Sequence, residues 1–188
     1  MTTLYFVRHA LPDRTDPDDR NRPLTAQGMA DTRLVLDTLR DKPIDAILCS
    51  PYRRSMDTLR STAEYFGLPI LTDERLRERR TGDPANGLSR SPERWKSPVW
   101  PESWGESPAQ VRERYLPWLA DTLRDYRDRT VAVGTHGTAM SFLLSAILPE
   151  TYGYDFFLES MRWMPYILRV DFEGEKVVGN EMEGYLER

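Results

Sequence analysis

Two short apolar runs, each ending in a histidine, constrain this chain of 188 residues more than any other feature. Leu4-Tyr5-Phe6-Val7-Arg8-His9 passes from apolar residues straight into a cationic pair. Val131-Ala132-Val133-Gly134-Thr135-His136-Gly137 delivers a second histidine in the same way, and the chain contains no third. Short apolar runs bounded by polar and glycine signals read as strands buried on both faces, the kind found in a parallel sheet. A helical pattern follows each, so the expected class is α/β: a three-layer sandwich with a mostly parallel central sheet and helices on both faces. In such sheets the ligand crevice lies beyond the carboxyl ends of the strands, which would bring both imidazoles to one place. Local capping of a strand by its histidine explains either residue alone. It does not explain why both hold the same topological position.

The rest of the pattern fills in the helices. Thr25 reads as the N-cap of a helix running to about Arg40, with Met29, Val35, Leu36 and Leu39 on its apolar face. Residues 44–49 form a second strand, and Ser50-Pro51 reads as an N-cap and first helical position, with Met56, Leu59, Ala63 and Phe66 buried behind it. That places Arg54 in a first turn, where the macrodipole and unpaired amides favour an anion and disfavour a cation. An arginine there makes sense if a negative ligand sits in front of the helix, joined by Arg8; Arg53 reads as an ordinary surface residue. Ser107-Pro108 opens another helix, lined by Val111, Tyr115, Trp118, Leu119, Leu123 and Tyr126. His136 leads into one lined by Met140, Leu143, Leu144 and Ile147, and residues 152–157 read as core or pocket wall. Residues 166–172 and 176–182, around Glu173-Gly174-Glu175, predict a C-terminal hairpin.

Three polar stretches stay open. Residues 13–23 are dense in Asp, Arg and Pro and read as a surface loop; Asp16, Asp18 and Asp19 lack the spacing of a calcium loop and read as a solvated cluster. Arg14, Arg20 and Arg22 there meet either an anionic substrate or only solvent. In the charged run 73–80, Glu78 stands among Arg75, Arg77, Arg79 and Arg80, and composition does not rank it above Glu74. Residues 81–107, with Trp95, Trp100 and Trp104 among prolines, are too long for an ordinary connection. They form either a lid, with Arg90, Arg94 or Lys96 meeting substrate charge, or a packed excursion within a single domain spanning 1–188.

Composition narrows the classes. A net charge of -4 argues against a general binder of nucleic acid or membrane surfaces. The single Cys49 excludes an internal disulfide and a cysteine-based zinc site, and its place at a strand end suits a small buried side chain. With two histidines and no evident third ligand, neither a metal nor another cofactor is expected. No apolar run of membrane-spanning length and no signal-peptide pattern is present, so the expected location is the cytoplasm.

Taken together, the motifs resemble those of the histidine phosphatase superfamily, the phosphoglycerate-mutase-like proteins, over nearly the whole chain. Arg8-His9-Ala10 is similar to the family's Arg-His-Gly at the end of its first strand. Leu24-Thr25-Ala26-Gln27-Gly28 looks like its Leu-Thr-x-x-Gly, and Ser50-Pro51-Tyr52-Arg53-Arg54 through Thr58 like its Ser-Pro-x-x-Arg-x-x-x-Thr. Leu76-Arg77-Glu78 followed by Gly82 is similar to the segment bearing the family's acid. Gly105-Glu106-Ser107 and Thr135-His136-Gly137 complete the order. There are three departures: Ala10 replaces glycine, Pro12 and Thr15 stand where the family often has a hydroxyl residue and asparagine, and Asp83-Pro84 replaces a Trp-Glu-Gly.

The resemblance implies that His9 accepts a phosphoryl group, that Arg8, Arg54 and His136 surround its oxygens, and that Glu78 or another carboxylate such as Asp83 donates the proton. The implied activity is a metal-independent phosphomonoesterase working through phosphohistidine on a small phosphorylated metabolite. The alternatives are a phosphoglycerate-mutase-type phosphotransferase, whose members are generally longer, and a non-catalytic protein that binds phosphorylated ligands.

Overall fold

A computed structural model describes the chain at residues 1–82, 92–97 and 105–188. Its centre is a six-stranded sheet in the order β3-β2-β4-β1-β5-β6. The strands are β1 (Thr2–Arg8), β2 (Ala46–Cys49), β3 (Ile70–Thr72), β4 (Thr130–Thr135), β5 (Trp163–Glu173) and β6 (Lys176–Glu187). The first four run parallel, while β5 lies antiparallel to β1 and folds back onto β6 through a turn at Gly174 and Glu175. The expected class, mostly parallel with a terminal hairpin, is the observed one. The hairpin is longer than the apolar pattern marks, because β6 alternates half-exposed and exposed residues along an open edge.

Alternation along the strands divides the core. Leu4, Phe6, Val131 and Val133 point to a large cluster with α4 (Pro108–Asp125) and α5 (Gly137–Ile147). Tyr5, Val7, Ile47 and Ala132 point the other way, onto α1 (Ala26–Leu39) and α2 (Arg53–Phe66). Helix α6 (Tyr154–Ser160) and the short α3 (Pro92–Lys96) pack on the first face, where Trp95 stacks between Phe142 and Phe157 at centroid distances of 4.6 and 4.7 Å. Of residues 81–107, read as a lid or a packed excursion, the packing of this tryptophan and the buried Glu106 are described. Trp100, Trp104, Arg90, Asp83 and the side chains of Arg94 and Lys96 lie outside the described residues.

Two local readings are corrected. Met29 is 48% exposed, not part of the buried face of α1; that face is Gly28, Asp31, Thr32, Val35 and Leu39. Asp31 is tolerated there because Arg188 and Gln27 meet its carboxylate at 2.6 and 2.8 Å. Helix α2 begins two residues later than Ser50-Pro51 predicts, with Tyr52 at the N-cap and no side-chain cap. Ser50 instead accepts from the Tyr52 amide at 3.2 Å, a turn that frees its hydroxyl for another partner.

Candidate active site

Register explains why the histidines meet. Arg8 pairs with Thr135 across the parallel β1 and β4, so the next residue of each strand leaves the sheet beside the other. The His9 and His136 rings stand edge to face with centroids 5.2 Å apart. Arg8, His9, Arg54 and Glu78 line one cavity of about 740 Å³, while His136 is fully buried beside His9. The five residues singled out from the sequence therefore share one end of the sheet, although only four of them line the opening.

His9 is fixed at both ring nitrogens. Nδ1 donates to its neighbour Ala10's carbonyl at 2.7 Å, which makes Nε2 the acceptor nitrogen, and Arg54 Nε donates to its lone pair at 3.2 Å. Burial, with the Arg54 and Arg8 guanidiniums close by, holds this imidazole well below the usual histidine range. It is neutral at pH 7 and its acceptor nitrogen is at the cavity. Thr58 ties the turn down: its hydroxyl accepts from the Ala10 amide at 3.0 Å and donates to the Arg54 carbonyl at 2.7 Å.

His136 is held differently. Its Nε2 meets the Ser50 hydroxyl at 2.7 Å, and since that hydroxyl has no other acceptor among the described residues, its proton goes to Nε2. That assigns the ring proton to Nδ1, which is buried without a partner. Burial, then Arg54 and His9, push His136 well below its ordinary value as well. Arg8 donates from Nη1 to the carbonyls of Ser160 and Trp163, yet its Nε is also buried without a partner. Gly137 makes room for this guanidinium: a Cβ there would lie 2.7 Å from Arg8 Cζ.

Glu78 reaches the N-terminus of α5. Its Oε1 accepts from Arg79 N at 2.7 Å and Ala139 N at 2.9 Å, while Oε2 has one long contact, 3.3 Å to Thr138 N. Oε2 is thus the oxygen with capacity for a proton. Two of the flanking arginines pair with carboxylates other than Glu78. Arg77 pairs with Glu106 at 2.7 Å, and Arg75 pairs with Asp73 and Asp121, each at 2.8 Å. Glu106 also takes Arg114 at 3.1 Å and the Arg80 amide at 2.9 Å. Arg114 in turn donates to the carbonyls of Arg75 and Arg77 at 2.6 and 2.8 Å, so this buried pair braces the segment that presents Glu78.

Asp19, read as solvated, meets Arg54 through both its carboxylate, at 3.3 Å, and its backbone carbonyl. Arg14 and Arg22 line the cavity, whereas Arg20 pairs with Glu74. Cys49 is buried, its thiol pushed up to about 12 by burial, and it takes no part. Among the described residues no group of three or more His, Cys, Asp or Glu could hold a metal ion, and no helix is long and apolar enough to cross a membrane.

Strand-end imidazoles, buried guanidiniums and a helix-capped carboxylate define a class of protein, and comparison agrees. Residues 4–164 match the model of the histidine phosphatase superfamily (branch 1), and the chain belongs to that family. It is 29% identical over 183 residues to the uncharacterized phosphatase PhoE of Bacillus subtilis, covering 94% of this chain and 91% of that one. It is also 29% identical over 164 residues to the probable phosphoglycerate mutase GpmB of Yersinia enterocolitica, covering 79% of this chain and 75% of that one. The fold is similar to that of Bacillus stearothermophilus YhfR, with a TM-score of 0.73, 23% identity and coverage of 94% of each chain.

Proposed function

We propose that the chain is a metal-independent phosphomonoesterase acting on a small phosphorylated metabolite through a phosphohistidine at His9. The observation that carries this reading is a neutral imidazole with its Nε2 lone pair at the cavity, beside two buried donors without partners, Arg8 Nε and His136 Nδ1. Buried donors are rarely left unpaired, and a tetrahedral oxyanion would satisfy both. A phosphoryl dianion also needs fixed positive charge, which Arg8 and Arg54 supply without a metal.

In the first half-reaction His9 Nε2 attacks phosphorus, the bond to the leaving oxygen breaks, and Glu78 Oε2 hands that oxygen its proton. In the second, water attacks phosphorus, Glu78 takes the water's proton, and the phosphorus–nitrogen bond breaks to regenerate neutral His9 with free phosphate. Arg54 releases His9 Nε2, freeing the lone pair that attacks, and exchanges this bond and its contacts with Asp19 for phosphoryl oxygens. His136 Nδ1–H donates to the oxygen nearest the strand ends.

The relative named as a phosphatase aligns over nearly the full chain, whereas the one named as a probable mutase aligns over less of it. That difference favours water as the acceptor. In a mutase the phosphoryl group would return to substrate. The test is hydrolysis of an aryl phosphate in the presence of chelator, with rapid quenching to trap the phosphoenzyme. Expected results are turnover, an acid-labile phosphoryl group on His9, and its release to water without an added acceptor. A phosphoenzyme that persists until a phosphoglycerate is supplied would establish the mutase instead.

A further inference from the structure

The cavity contains a cation that the proposed phosphoryl chemistry does not use. Arg14 lines it together with Arg8, His9 and Arg54, yet among the described residues it makes no hydrogen bond or ion pair. Its acidic neighbours are engaged elsewhere. Asp13 accepts from the Thr15 amide and hydroxyl at 3.0 and 2.7 Å, and Asp16 from the Asp18 amide at 2.9 Å. Asp18 accepts from the Arg20 and Asn21 amides, each at 3.1 Å, and Asp19 pairs with Arg22 and Arg54. These contacts shape the loop and leave Arg14 un-neutralised.

The loop itself is anchored, by Asp13 N to the Pro23 carbonyl at 2.8 Å and by Arg53 N to the Arg20 carbonyl at 3.0 Å. The backbone carrying Arg14 is therefore in place before any ligand arrives, which lowers the ordering cost of binding. Its charge acts on His9, but after those of Arg54 and Arg8. Arg54 bonds the His9 ring at 3.2 Å and Arg14 makes no hydrogen bond to it, so Arg14 stands in the cavity apart from the guanidinium that faces the nucleophilic nitrogen. Among the described residues of the cavity wall the one further cation besides Arg8, Arg54 and Arg14 is Arg22, which is already committed to the Asp16 carbonyl and Asp19.

We infer that Arg14 determines specificity: it selects phosphomonoesters whose leaving portion carries a second anionic group, a carboxylate, which its guanidinium fork can grip bidentately. This rests on the phosphomonoesterase reading of the same cavity. A matched pair of substrates tests it, 4-phosphooxybutanoate and its neutral amide, which share the phosphoryl group and the chain length. The carboxylate is expected to have the higher kcat/KM, and Arg14→Ala to remove about tenfold of that preference, mainly through KM. Arg14→Lys should retain part of it, and added salt should shrink it, because the site is exposed. An equal loss on both substrates, placing Arg14 on the phosphoryl group, or the absence of any preference in the natural chain, overturns the inference. Should neither compound turn over, the phosphatase reading fails, but calorimetric binding of the pair to His9→Ala still decides. Tighter binding of the carboxylate that Arg14→Ala abolishes supports the inference, and equal affinities refute it.

Discussion

His9 and His136 leave adjacent parallel strands one residue past the same register position, and yet their surroundings are opposite. His9 lines the cavity, with its proton held on Nδ1 by a backbone carbonyl and its Nε2 lone pair under Arg54. His136 is closed in behind it, with Ser50 on Nε2 and a bare Nδ1. One ring is prepared to give an electron pair, the other to give a hydrogen bond. The start of α5 also carries two of the amides that hold Glu78, so in the proposed mechanism the first strand ends in the nucleophile and the fourth in the groups that manage negative charge and protons. Identical residue types in equivalent places acquire different chemistry from their hydrogen-bond partners alone.

Exchanging the roles is the sharpest way to break this contrast. His9→Ala is expected to lower aryl phosphate turnover by at least about a thousandfold and to abolish the trapped phosphoenzyme. His136→Asn should cost about a hundredfold, the scale of one lost oxyanion donor, while the phosphoenzyme still forms on His9. A phosphoryl group found on His136, or a His9→Ala protein with full turnover, reverses the assignment. Next in size is Glu78→Gln, read against leaving-group basicity. Alkyl phosphates should lose about a hundredfold and 4-nitrophenyl phosphate less than about tenfold, because a good leaving group needs no proton. Equal losses on both would move the acid to another carboxylate.

The histidines also make stability pH-dependent in a direction that can be worked out. Both are held well below the 6.5 of a free imidazole. Between the folded and unfolded values the unfolded chain binds protons that the folded chain does not. Their contribution is therefore complete above about pH 6.5 and is lost as pH falls below it, by up to about 1.4 kcal/mol per pH unit for each ring. Urea midpoints between pH 7 and 5.5 should fall about half as steeply in His136→Asn as in the natural chain. Parallel slopes would mean that His136 is not buried in its neutral form.

How much of this was legible in the sequence depends on range. The β1 and β4 runs carry their own alternation and their own endings, so the fold class and the meeting of His9 with His136 follow from local pattern plus the rules of parallel sheets. Arg54 was legible because a cation in a helix's first turn contradicts the dipole and demands an anion. Asp19 was not, since nothing in an acidic loop marks which carboxylate will reach an arginine thirty-five residues away. Met29 misled because helical periodicity finds the apolar residues but cannot foresee that Arg188, at the far end of the chain, makes Asp31 fit to be buried. Glu78 could not be ranked above Glu74 for a related reason: proximity in sequence is not pairing, and Glu106, far along the chain, takes the charge of Arg77.

Ser50 is the smallest and most discriminating case, because local pattern gives it a capping role it does not play. If it only shaped the turn before α2, Ser50→Ala would cost about 1 kcal/mol, the worth of the hydrogen bond to Tyr52 N, and leave the chemistry alone. Its second contact, to His136 Nε2, predicts more. Without the hydroxyl, the imidazole is free to move its proton to Nε2, and Nδ1 would then present a lone pair, not a donor, to the phosphoryl oxygens. Turnover should drop about fivefold beyond any effect of unfolding, with the loss in kcat rather than KM. Ser50→Thr, which keeps the hydroxyl, should recover most of it. If Ser50→Ala is less stable but turns over at the natural rate, the tautomer of His136 is set by something other than this serine, and its difference from His9 must arise from burial alone.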